Sequence, residues 1–160
     1  MKIVLFLLLV PAFFFQTNAQ ATFSKKCLSI SESTVQSWSP GNVQAGEKAR
    51  GGIIYQVKAI LKKSGNLKFD SLFVDRQSLA LEVVKGTDRA FAGAYKKGDS
   101  ITLLARQSKA NAHQKYPVEV SQLFSSKKEV VAFISIWVSG KRYLHPVSEF
   151  KKTSRKDANQ

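Results

Sequence analysis

Apolar and polar positions in this chain alternate in short runs rather than recurring every three or four residues. In "RGGIIYQVKAILKKSGNLKFDSLFVD", Arg50 to Asp75, the odd positions Ile53, Tyr55, Val57, Ala59 and Leu61 are apolar or aromatic, whereas the even positions mix Gln56, Lys58 and Lys62 with isoleucines. A period of two is the mark of a strand with one buried face. Leu67, Phe69 and Phe73 repeat the pattern, with Lys68 and Asp70 on the other parity. A hairpin loop at Ser64-Gly65-Asn66 would set Leu61 against Phe69 and Val57 against Phe73, so that both apolar faces coincide; register follows the face that can be buried. The same register sets Lys62 against Lys68, a like-charge pair that suits only a wet face or one that holds an anion.

Further strands are predicted in "SLALEVVK" (Leu79, Leu81, Val83), in "DSITLLARQ" (Ile101, Leu103, Ala105) and, as a shorter run, in "PVEVSQLF". "EVVAFISIWV", Glu129 to Val138, is almost continuously apolar, as a central strand buried on both faces should be. It ends at Ser139-Gly140, and "KRYLHPV" reads as its hairpin partner, with Pro146 favouring an edge or a bulge. "TFSKKCLSI" and "TVQSW" complete the set. Many short strands with turn formers about every ten residues predict an all-β fold, a single antiparallel β-sandwich of immunoglobulin-like or related type, with a barrel as competitor. "RAFAGAY" reads as a loop or short helical turn, and "SKANAHQKY" as a long exposed loop.

The chain begins with one lysine, an apolar run from Ile3 to Phe15 and then small and polar residues. This is the layout of a secretory signal peptide, and the run is shorter than the roughly 20 residues a membrane span needs. The expected organisation is a signal peptide over 1–19, with cleavage after Ala19 or alternatively after Ala21, a β-sandwich domain over 22–150 and a basic disordered tail over 151–160. The tail has no large apolar residue to offset the entropy of ordering it. The mature chain is therefore expected to lack a transmembrane segment and to reach the periplasm, the cell surface or the medium.

Charge changes the picture most. The chain has 25 Lys and Arg against 11 Asp and Glu, and removal of Lys2 with the leader leaves a formal +13. Such a field attracts polyanions without specifying a fold. Many of the cations come as doublets, among them Lys25-Lys26, Lys62-Lys63, Lys96-Lys97, Lys127-Lys128 and Lys141-Arg142. A leader disfavours intracellular nucleic acid as the ligand, leaving acidic polysaccharide, lipopolysaccharide phosphate or an acidic protein. The candidate ligand-binding residues are Lys58, Lys62, Lys63 and Lys68, with Trp38 in "SWSPGN" placed to stack on a sugar or to cap one end of the core. The competing reading is that dispersed lysines keep sheet edges soluble and unpaired.

Catalytic chemistry finds little support. One cysteine, Cys27, excludes an internal disulfide and reads as a small buried hydrophobe. His113, His145 and Cys27 lack metal-ligand spacing, so no metal or cofactor is expected. Gly98 to Ile101, "GDSI", resembles over four residues the opening block of the GDS lipase and esterase family. Neither histidine has the aspartate three positions earlier that the family requires, and a Gly-Asp turn into a strand accounts for the match. Asp70 and Asp75, five residues apart, fall on opposite strand faces and are poorly placed as an acid/base pair. The expectation is an exported, non-enzymatic binding or interaction domain. A binder of anionic polymers is the narrower alternative, and a hydrolase whose site is assembled only in the fold ranks below it.

Overall fold

The computed structural model describes residues 21–38, 51–89, 94–108 and 115–153. Ten strands and one helix form among them: β1 (Thr22–Phe23), β2 (Leu28–Trp38), β3 (Gly52–Leu61), β4 (Leu67–Val74), β5 (Gln77–Lys85), β6 (Asp88–Arg89), β7 (Ser100–Gln107), α1 (Val118–Ser126), β8 (Ala132–Val138), β9 (Lys141–Val147) and β10 (Lys151–Lys152). The expected all-β class is what the chain adopts. Neighbouring strands follow one path, β1-β9-β8-β4-β5-β7-β3-β2-β10, with β6 beside β5. The sheet is mixed, because the β1–β9 and β10–β2 pairs are parallel, and it curls into a half-barrel. The turn of the curl is β5, whose first half pairs with β4 and whose second half pairs with β7.

The predicted hairpin does not form. β3 pairs with β2 and β7, β4 pairs with β5 and β8, and Leu61 lies opposite Leu28 while Phe69 lies opposite Ile136. Residues 62–66 instead carry the chain from one half of the curl to the other. The Lys62–Lys68 cross-strand pair expected on that register is therefore absent. Phe73 also leaves its predicted face: an irregularity between Phe69 and Leu72 shifts the parity, so Leu72 and Val74 join Phe69 in the main core. Phe73 turns outward to a second cluster with Val120, Phe133 and Leu144.

That second cluster explains another departure. "PVEVSQLF" is α1, not a strand, because Val120, Leu123 and Phe124 recur at helical spacing and together cover the outer face of β4 and β8. Arg142 ties the helix down: its Nε donates to Ser135 Oγ at 3.0 Å, its guanidinium lies 3.5 Å from Glu119, and it stacks over Phe73 at 5.3 Å. β8 is buried on both faces as its composition predicts, with Ala132, Ile134 and Ile136 inside the curl and Phe133 under the helix. "TFSKKCLSI" and "TVQSW" give short β1 and then the single long strand β2. The Ser139-Gly140 turn has both residues at positive φ, 49° and 75°, as a two-residue hairpin requires. Lys151–Lys152, expected in a disordered tail, pair with Thr34 and Val35. The leader, residues 90–93 of "RAFAGAY", the loop from 109 to 114 with His113, the turn after Trp38 and the tail beyond 153 lie outside the described residues.

Candidate functional site

β2 and β9 are the facing margins of the curl, and between them runs an open seam. β10 pairs with β2 only at Thr34 and Val35, so the β2 edge from Leu28 to Ser33 has no strand beside it. β1 pairs with β9 only at Tyr143 and Leu144, so Pro146, which has no N–H to offer, lies past the end of that pairing and faces the seam. One end of the seam is latched where Ser33 Oγ donates to the Glu149 carbonyl at 2.6 Å. Below the latch is a cavity of about 380 Å³, whose lining includes Lys25, Lys62, Lys151, Glu32, Glu149 and His145.

The open end of this seam is a cationic pole built by backbone hydrogen bonds. Lys62 N donates to Cys27 O at 2.9 Å, Gly98 N donates to Leu61 O at 2.8 Å, and Lys97 N donates to Ser64 Oγ at 2.8 Å. These three contacts draw the doublets Lys25-Lys26, Lys62-Lys63 and Lys96-Lys97 to one end of the molecule. The ion pairs among the described residues are Lys58–Glu32, Lys85–Asp99 and Arg142–Glu119, and none of them uses a lysine of those doublets. Asp99, two residues beyond Lys97, is held below the usual carboxylate range by the Lys85 side-chain and Lys96 backbone hydrogen bonds, with the charges of Lys85 and Lys96 adding to the effect.

His145 forms part of the cavity wall at 5% exposure. Its Nδ1 is buried without a hydrogen-bond partner. Burial pulls its pKa down to about 4; the backbone at Ser24 opposes this, and the nearby Lys62 and Lys25 reinforce it. At neutral pH the ring is uncharged. Cys27, next to the pole, is fully buried, and desolvation pushes its thiol up against the opposing pull of Lys63 and a Ser24 hydrogen bond.

The predicted ligand residues divide. Lys62 and Lys63 stand at the pole, with Lys63 Nζ 5.1 Å from the centre of the Tyr143 ring. Lys68 begins β4 at the same end, in register with Trp137 on the other half of the sheet. Lys58 lies mid-strand and is bound to Glu32 at 2.7 Å, its register partner on β2. Trp38 closes the far end of β2, about 33 Å of extended chain from Leu28, with its indole Nε1 buried and unpartnered. Lys25 and Lys151 were legible only as cations of the chain, and His145 only as one of two histidines; their meeting depends on the closure of the curl. Among the described residues, no group of three or more His, Cys, Asp and Glu is placed to hold a metal ion, and no helix is long and apolar enough to cross a membrane. Comparison with family models, with curated proteins and with solved structures gives no match to this chain.

Proposed function

We propose that this chain is an exported, non-enzymatic binding domain that takes acidic polymers at its cationic pole. The observation that carries the reading is the convergence of three lysine doublets, distant in sequence, at one end where no described ion pair engages them. Lysines in excess over carboxylates, held at fixed backbone positions, attract a polyanion and release its counterions, a gain that falls steeply with salt. Export is inferred from the leader, and it favours acidic polysaccharide or lipopolysaccharide over nucleic acid. The finer fold reading is a sandwich related to the immunoglobulin type, supported by two halves of the sheet that share one core and by a strand, β5, that passes from one half to the other.

The test is a titration of leader-free protein with a polyuronate, lipopolysaccharide, duplex DNA and a neutral glycan, at low and near-physiological salt. An acidic glycan is expected to bind selectively, and Lys62→Glu with Lys96→Glu to weaken it at least tenfold. Equal binding of the neutral glycan, or an unchanged affinity in the double variant, overturns the reading. Turnover on a hydrolase panel that one substitution abolishes overturns its non-enzymatic part.

A further inference from the structure

The pole is an exposed surface, and the seam beside it is an open groove whose chemistry is more specific than the charge around it. Three cations, Lys25, Lys62 and Lys151, meet two carboxylates, Glu32 and Glu149. Glu32 is matched from outside by Lys58 at 2.7 Å, and the Glu149 backbone is fixed by Ser33. The lining therefore carries an excess of positive charge, and Lys25 and Lys62 border the same groove as His145. Ser29 and the unpaired backbone of the β2 edge add hydrogen-bonding groups, whereas the Ser31 hydroxyl already donates to the Lys58 carbonyl. A volume of about 380 Å³ is at the small end of ligand sites and fits one compact unit, not a length of chain. His145 borders the seam from within the core, with the Ser24 backbone bonded to the ring and Nδ1 buried without a hydrogen-bond partner.

We propose that the seam between β2 and β9 is a subsite for one compact oxyanion-bearing unit, a carboxylate or a phosphate, bound between Lys25 and Lys62. The proposal rests on the reading of the pole as a polyanion surface and adds to it the place where a single charged unit of the polymer is seated. Burial is the main reason that His145 is neutral, and Lys62 and Lys25 add to it; an anion in the seam offsets that added part, so its occupation favours protonation of the ring. Glu32, Glu149 and Lys151 also line the seam, and they are in place whether or not it is filled. The imidazole thus reports on the seam and not on lysines elsewhere at the pole.

The experiment follows His145 by NMR across pH, assigned against a His145→Gln variant, with glucuronate, inorganic phosphate or neutral glucose added at fixed ionic strength. The expected result is an upward movement of the His145 midpoint from about 4 with glucuronate or phosphate and none with glucose; the more effective of the two identifies the natural group as carboxylate or phosphate. Lys25→Gln with Lys62→Gln should abolish that movement and weaken binding of the small anion at least tenfold, whereas Lys96→Gln with Lys97→Gln should leave the movement intact, whatever it does to polymer binding at the pole. A midpoint that ignores every anion, or that responds equally in both double variants, overturns the subsite. If polymer binding nevertheless persists and falls with Lys96→Gln and Lys97→Gln, the pole stands without the seam; if no polymer binds at all, the pole fails first.

Discussion

His145 is the side chain most exposed to a change of pH in its consequences, though it is among the least exposed to solvent. Its folded pKa of about 4 lies below the ordinary value of 6.5, so between those limits the native state binds fewer protons than the unfolded chain. Stability is then full above pH 6.5 and falls as the solution is acidified toward pH 4, by up to about 3 kcal/mol for a group this buried. Urea denaturation of wild type and His145→Gln at a series of pH values checks this: the variant should lose the part of the slope confined to that window, and parallel profiles would refute the assignment. In the sequence His145 is only one of two histidines that lack metal-ligand spacing and a catalytic aspartate. The property that governs it, burial beside two lysines on other elements, is not local and leaves no trace in "RYLHPV".

Among elements, β3 shows why an apolar pattern can name a strand and still misplace it. Coincident parity of Leu61 with Phe69 suits two strands paired side by side, but it suits equally two strands that look at each other across a core, and the second arrangement is the one adopted. The decisive residue sits at the other end of β3. Gly52 lies opposite Trp38, and a Cβ there would be 2.2 Å from the Gln107 carbonyl and 2.8 Å from Trp38 Nε1. The backbone oxygen cannot swing aside, so Gly52→Ala should cost about 1–3 kcal/mol by overpacking and loosen both neighbours of β3; a denaturation midpoint equal to wild type would contradict this. α1 teaches the complementary point. Two alternating valines at its start resemble a strand, and the helical spacing of Val120, Leu123 and Phe124 becomes meaningful only when the outer face of β8 needs cover.

At the scale of the whole molecule, the segment after β9 closes the curl by crossing from one margin to the other. It brings Phe150 edge-on to Tyr55, with ring centres 5.1 Å apart, and pairs β10 with β2. Tyr55 in turn donates its hydroxyl to Asp75 Oδ2 at 2.7 Å, linking β3 to the β4–β5 turn through the core. A chain ending at Val147 should therefore lose about 3 kcal/mol, the scale of removing a packed phenyl ring, and show faster hydrogen exchange at Thr34 and Val35. Wild-type stability in that truncated form would mean that the crossing closes nothing.

The sequence by itself determined the strand-rich class, most strand positions, the doubly buried character of β8, the Ser139-Gly140 turn and the excess of positive charge, because each depends on residues adjacent or two apart along the chain. Tertiary structure decided which strands are neighbours, that Phe73 faces outward, that "PVEVSQLF" is helical, and that Lys25, Lys62 and His145 line one cavity. Those outcomes depend on how apolar faces from distant segments divide a common interior, and that division is a property of the closed curl, not of any one run of residues.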